Sequence, residues 1–334
     1  MNLLTVKNLS VTLATASGEA DAVRNLSFNI SHGEILGIAG ESGSGKTMTA
    51  LSLLGLLPHK GRATGSINFD GRDILASTKR EYRDLRGKEI AMIFQDPMTS
   101  LHPMLTVEVQ LTEHLRHHRK VSKDAARNSA LKLLATVKIP DPEAALRAHP
   151  SQFSGGMRQR IAIAIALACE PKLLIADEPT TALDVTVQAG ILKLLHQLRA
   201  ERNLSVLVIT HDLGVLSSLT DRIMIMYAGS EVESGKTSDL LTRPRHPYTK
   251  GLISALPGHI SSTYSEHPKG LLSIEGMPPE LGNFPAGCAF HPRCKFAVAT
   301  CKAVTPECIE ISESHRIFCP VNPFLANSGS RHGA

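Results

Sequence analysis

An α/β fold with a largely parallel sheet is predicted by three features of the 334-residue sequence. A short apolar run, Glu34 to Ala39, passes through a glycine-rich turn straight into a helical run, Met48 to Leu57. From Lys172 onward, short apolar runs alternate with amphipathic helical ones, the pattern of βαβ units. Three such runs deliver a polar residue at their carboxyl ends, namely Gln95, Asp177 and His211, and a parallel sheet lines these up along one edge.

The elements follow in order. Leu3–Leu13 and Ala22–Ile30 read as strands joined by a small polar turn, and Ser31-His32-Gly33 turns the chain into the Glu34–Ala39 strand. The helix after the glycine turn is expected to stop at Pro58. Gly61–Gly71 reads as turn, strand and turn, and Glu89–Phe94 as a further buried strand. Residues 104–170, rich in Leu, Ala, His, Lys and Arg with few glycines, carry amphipathic patterns and predict a helical insertion. Within it, Arg160–Ala168 alternates Ile and Ala, but Ala is apolar too, so the run is apolar throughout. With Ser154 as N-cap and Pro171 beyond its end, it predicts a buried helix. Lys172–Ala176, Leu204–Thr210, Arg222–Tyr227 and Ser230–Ser234 are expected strands, the last two a hairpin across Ala228-Gly229. Asp184–Glu201 and Leu213–Leu219 are expected helices. Prolines then interrupt the chain repeatedly, which places a domain boundary near 242. Residues 243–324 form an extension, and 325–334 are expected to be a disordered tail.

Composition excludes several classes. Apolar residues at 42% and charged residues at 20% describe a soluble globular protein, and no run of 18 apolar residues is present to span a membrane. The N-terminus alternates like a strand and does not read as a secretory signal, so a cytoplasmic location is expected. The net charge of +5 is spread among mixed signs without a nucleic-acid-binding arm, and 4% aromatic content without Trp argues against a base-stacking surface.

The chemistry concentrates in Gly40-Glu41-Ser42-Gly43-Ser44-Gly45-Lys46-Thr47, which matches G-x-x-x-x-G-K-[ST] between a strand and a helix. Glycines let successive backbone N–H groups wrap an anion at the helix's positive end. Lys46 is then expected on the β- and γ-phosphates of ATP, and the Thr47 hydroxyl on Mg²⁺. Leu173-Leu174-Ile175-Ala176-Asp177-Glu178 supplies a second carboxylate for Mg²⁺ in Asp177 and a general base for water in Glu178. Gln95 is a candidate for Mg²⁺ or the attacking water. His211 is a candidate for the γ-phosphate and for positioning Glu178.

Ser154-Gly155-Gly156-Met157-Arg158-Gln159-Arg160 resembles the signature motif of ATP-binding-cassette (ABC) ATPases. With the glycine loop, Gln95, LLIADEP, Thr181-Ala182-Leu183-Asp184 and His211, it completes the family's hallmarks in the family's order over residues 1 to about 240. The resemblance implies a nucleotide-binding domain over 1–242, with a RecA-like core, an antiparallel β-subdomain and a helical subdomain at about 97–170. It implies an ATPase that works as a head-to-tail pair. Ser154, Gly155, Gly156 and Met157 then serve the partner's nucleotide, with Asp184 near the seam. The family's adenine-stacking aromatic has no counterpart here, and Leu13 is the nearest residue.

RPRHPYT (243–249), LGNFPAGCAFHPRC (281–294) and QDPMTSLHP (95–103) are similar to ATPase subunits of oligopeptide and dipeptide importers, a type shared with nickel and D,D-dipeptide importers. The implied partners are a second, paralogous ATPase, two membrane permease subunits on whose cytoplasmic face the chain sits, and a solute-binding protein beyond them. A soluble cassette ATPase and a redox-sensing regulator are the alternatives. Of six cysteines, Cys169 reads as core, and the others cluster as Cys288-x5-Cys294-x6-Cys301-x17-Cys319 with Cys308 extra. The absence of a C-x2-C pair departs from zinc-knuckle spacing, and a cytoplasmic location disfavours disulfides. A [4Fe-4S] cluster on Cys288, Cys294, Cys301 and Cys319 is the reading implied by family members with this spacing. Zinc and unligated thiols are the alternatives.

Overall fold

The computed structural model describes residues 2–16, 18–96, 100–181, 183–256 and 274–324. The expected tail at 325–334 lies outside them, as do residues 97–99 of the QDPMTSLHP stretch and Ala182. A central sheet of eight strands carries the chain. From one edge to the other it runs β11 (Ile309–Ser312), β12 (His315–Ile317), β10 (Ser230–Lys236), β9 (Arg222–Tyr227), β3 (Ile35–Ala39), β8 (Ser205–Thr210), β7 (Leu173–Asp177) and β6 (Ile90–Ile93). The five strands from β9 to β6 are parallel, and β10, β12 and β11 join antiparallel.

Burial on both faces explains why these strands read as unbroken apolar runs. Leu173 and Ile175 of β7, with Leu207 and Ile209 of β8, enter an apolar cluster on one face, shared with β1 (Asn2–Thr15), β2 (Gly18–Ser31), β4 (Arg62–Phe69) and helix α1 (Lys46–Leu53). Their neighbours Leu174, Ala176, Val206 and Val208 enter a second cluster on the opposite face. There they meet α3 (Val107–Arg119), α4 (Lys123–Thr136), α5 (Pro142–Arg147), α6 (Gly155–Leu167), α7 (Val185–Arg202) and α8 (Leu213–Leu219). β1, β2, β4 and the short β5 (Arg72–Asp73) form a separate antiparallel sheet in the order β2-β1-β4-β5.

The ambiguous Ile/Ala run is helical, as its continuous apolarity and cap predict: α6 begins at Ser154, whose hydroxyl accepts from the Met157 N–H, and its Ile161 to Ala164 are buried. The first helix departs from expectation at both ends. It starts inside the glycine loop at Lys46 and stops at Leu53, because Gly55 takes a left-handed φ of 58° and breaks the helix before Pro58. A helix α2 (Lys79–Leu85), unforeseen, is set by a capping box between Thr78 and Glu81.

Beyond α9 (Thr237–Thr242), the proline-broken region also holds regular structure: α10 (Pro247–Ser254), opened by a proline at its first turn, and α11 (Ala299–Ala303). Strand β12 pairs with β10, Glu233 opposite Ile317 and Ser234 opposite Arg316, so the central sheet continues across residue 242. Phe290 packs edge-on to Tyr227 and beside Tyr248, fastening the cysteine-bearing segment to β9 and α10. No described helix is long and apolar enough to cross a membrane.

Candidate active site

β3 is buried along its whole length and points its carboxyl end at the glycine loop. Two glycines there are dictated by the backbone. Gly43 takes φ 79°, and Gly45 takes φ 97° with so little room that a Cβ would sit 2.5 Å from the Ala22 carbonyl oxygen. Lys46 is buried at 6% exposure, and its ammonium donates to the carbonyls of Gly40 (2.7 Å) and Glu41 (2.8 Å) and to Ser44 Oγ (3.3 Å). Burial lowers its pKa, opposed by the charges of Glu178, Asp177 and Glu41.

β7 ends in Asp177, which is 2% exposed and hydrogen-bonded to the Thr47 side chain. Burial raises its pKa, and the Thr47 hydrogen bond works against the rise. Its Oδ1 is buried without a hydrogen-bond partner. An orphaned carboxylate oxygen beside a threonine hydroxyl is the donor set of a hard divalent cation, so Asp177 and Thr47 fit Mg²⁺.

Glu178 follows in a left-handed conformation, φ 47°, with its N–H on the Ile209 carbonyl of β8 at 2.7 Å. That turn lifts the side chain off the strand into a ring of donors. Gln95 Nε2 (3.0 Å) and Thr181 Oγ1 (2.8 Å) both donate to Oε2, and His211 Nδ1 lies 3.0 Å from Oε1. Burial pushes the Glu178 pKa up, but the His211 and Thr181 hydrogen bonds, with the charges of His211 and Lys46, outweigh it and hold it below the ordinary value. Gly40, Glu41, Ser42, Gln95, Glu178 and His211 line one open cleft, joined by Leu252 from α10. Thr181 and Leu252 were missed in these roles by sequence reading. Thr181 sits three residues beyond Glu178, and that spacing was the available signal.

Ser154, Gly155, Gly156 and Met157 are brought together at the N-terminus of α6, but none lines that cleft. Ser154 and Gly155 are exposed, while Gly156 packs so tightly on α7 that a Cβ would come 2.5 Å from Val187 Cγ1. Gln159, 1% exposed on the same helix, donates to the Pro179 carbonyl at 2.8 Å, joining the signature helix to the Glu178 loop. Asp184 caps α7 by accepting from the Val187 N–H at 2.9 Å, and Val185 beside it is 82% exposed. Leu13 is partly buried against the apolar cluster and pairs with Ala20 on β2.

Cys288, Cys294, Cys301 and Cys319 line one small cavity, with His246, Phe290 and His291. Burial, first, and the neighbouring thiols push Cys288 up to about 11. Cys308 lies exposed away from this cavity, and Cys169 is buried in the core. Among the described residues, no group of three or more His, Cys, Asp or Glu is arranged to hold a metal ion.

The family model described as "ABC transporter" matches residues 23–181, and that described as "Oligopeptide/dipeptide transporter, C-terminal region" matches residues 232–301. The chain is 48% identical over 324 residues to the oligopeptide transport ATP-binding protein OppD of Salmonella typhimurium, covering 97% of this chain and 95% of that protein. It is also 48% identical over 319 residues to the dipeptide transport ATP-binding protein DppD of Bacillus subtilis, covering 95% and 94%. Among solved structures, the dimeric post-hydrolysis state of the ATP-binding cassette MJ0796 bound to ADP and Pi superposes with a TM-score of 0.63. It shares 30% identity and covers 70% of this chain and 98% of that one.

Proposed function

The chain belongs to the family of ABC transporter ATP-binding subunits and is an ATPase; on that premise we propose that it energises the import of oligopeptides or dipeptides through a membrane permease. The observation that carries the reading is continuity. The match to the peptide-transporter region (232–301) follows the cassette match (23–181) in one chain, and β10, which opens that region, pairs with β9, itself paired with β3 of the cassette.

In the proposed mechanism, ATP enters the cleft over the glycine loop, where the backbone N–H groups and Lys46 take the phosphate charge. Thr47, Asp177 and Gln95 are the residues that would hold Mg²⁺, which when bound neutralises charge on the β- and γ-phosphates. Glu178, kept ionised, accepts the proton of the attacking water, while His211 and Thr181 fix its two oxygens. Ser154 to Met157 lie off this cleft, with Ser154 and Gly155 exposed, which supports their serving a second cassette's nucleotide in trans. Exposed Val185 beside Asp184 supports a seam there. The second cassette is read as a paralogous ATPase, two permease subunits complete the membrane assembly with a solute-binding protein beyond it, and the chain sits on the cytoplasmic face.

The four-cysteine cavity is proposed to hold a [4Fe-4S] cluster. The support is that all four cysteines line one cavity, as the four thiolates of such a cluster would. His246 supports the fit. Its Nδ1 accepts from the Tyr248 N–H at 3.1 Å, so its proton sits on Nε2, and that donor is buried without a partner. An anionic sulfur acceptor would satisfy it.

The test is reconstitution. The chain, co-expressed with its paralogue and two permease subunits in proteoliposomes, should drive ATP-dependent uptake of a labelled oligopeptide. ATP hydrolysis without uptake of any peptide in a mixed-length pool, or a chain that never associates with a permease, would overturn the transport reading.

A further inference from the structure

Glu41, the first residue after Gly40 in the phosphate loop, puts a carboxylate at the entrance to a site for a polyanion. The structure answers that charge from the far end of the chain. Arg293 forks onto it, Nη1 to Oε2 at 2.6 Å and Nη2 to Oε1 at 3.0 Å. The Arg293 side chain is 6% exposed and the Glu41 side chain 25%, so the pair is shielded from water. The remaining guanidinium hydrogens are also used, Nε–H on the Glu275 carbonyl (2.9 Å) and Nη1–H on Tyr227 Oη (3.3 Å). Tyr248, fully buried on α10, takes the Glu41 N–H on its hydroxyl at 2.9 Å. The Glu41 carbonyl in turn accepts from Lys46, so side chain, amide and carbonyl of one loop residue are all fixed.

We infer that Arg293 is a positioning residue for ATP binding, which neutralises Glu41 and, with Tyr248, sets the shape of the loop that Lys46 closes. The inference rests on the ATPase reading. The cysteine-bearing extension is thereby a part of the nucleotide site, and Arg293 immediately precedes Cys294. A lysine cannot replace it, because a point charge lacks the fork that grips both carboxylate oxygens.

The test is ATP affinity of the full chain by titration calorimetry, together with steady-state KM and kcat. R293A should weaken ATP binding and raise KM about tenfold, with kcat changed less than threefold, because Glu178 and its donors are untouched. The deficit should shrink as salt rises. The distinguishing variant is E41Q/R293A, which removes the uncompensated charge and should recover most of the lost affinity; a merely structural role for Arg293 leaves the double variant as weak as the single one. Should R293A misfold, R293K decides, since it keeps the charge but loses the fork, and should weaken ATP binding at least threefold with kcat changed less than threefold. R293A affinity within twofold of the parent, no recovery in the double variant, or parent-like binding by R293K would overturn the inference. A parent chain that binds no ATP would instead remove the ATPase reading beneath it.

Discussion

Glu178→Gln isolates the charge of the proposed base with little change in shape. In the parent, Oε2 accepts from Gln95 and Thr181, and Oε1 faces His211 Nδ1. A glutamine can keep its amide oxygen toward Gln95 and Thr181 and turn its NH₂ to His211. The imidazole then accepts at Nδ1 by carrying its proton on Nε2. All the hydrogen bonds around position 178 survive, and folding stability should change by less than about 1 kcal/mol. What disappears is an ionised acceptor for the water proton, and a positioned base contributes roughly 10²- to 10⁴-fold. At 1.36 kcal/mol per decade this is about 3–5 kcal/mol of barrier. The assay is single-turnover phosphate release on the assembled transporter, with ATP affinity measured in parallel. Turnover should fall at least a hundredfold while ATP binding is unchanged or tighter. A variant that turns over within tenfold of the parent would show that Glu178 is not the base, whatever its geometry.

Other expectations follow from single contacts. Gly156→Ala should cost about 1–3 kcal/mol in denaturant unfolding, since its Cβ would meet Val187, a β-branched side chain with little rotamer freedom; unchanged stability would mean that α6 and α7 have slack. The carboxyl carbon of Glu178, followed by NMR, should titrate below the ordinary value of 4.5. A depressed folded pKa makes its stabilising contribution present above the unfolded value and lost as pH falls through the folded one, so a midpoint above 5 would contradict the donor ring. Anaerobically purified chain should contain iron and sulfide and absorb broadly in the visible. Cys319→Ser should lose both and Cys308→Ser neither, while a colourless, iron-free preparation removes the cluster proposal.

The sequence was most legible where one physical pattern sufficed. α8 and β9 fall on the expected residues because a capped apolar run and a strand ending at Ala228-Gly229 leave no alternative. The polar residues predicted at strand ends, Gln95, Asp177 and His211, come to one edge because β6, β7 and β8 are adjacent and parallel. Local caps, by contrast, are weak signals: Thr78 and Glu81 spell a capping box, but the seven residues of α2 are mostly charged and carry too short an apolar period to mark a helix. The helix after the glycine loop was set too late, because apolarity begins at Met48 whereas hydrogen bonding begins within the loop itself.

The extension was illegible for a different reason: its order comes from distant charges that no local window contains. Glu233, 0% exposed on β10, accepts from the N–H groups of Arg245 (2.8 Å) and His246 (2.9 Å) and meets His315 Nε2 at 2.8 Å. One carboxylate thus ties the entry to α10, and through His246 the wall of the cysteine cavity, to the strand that extends the sheet. In sequence it is one acid in a hairpin strand, where solvent exposure is the default. Glu233→Ala strands two buried N–H donors and an imidazole, and breaking a buried network of this kind costs about 3–5 kcal/mol. The loss falls on contacts between the extension and β10 and leaves the parallel strands β9 to β6 with their own apolar faces. Hydrogen exchange should therefore accelerate selectively in α10 and β12, with β7 and β8 as protected as in the parent. Uniform acceleration would show that extension and cassette unfold as one unit, and unchanged exchange would show that Glu233 is not the tie.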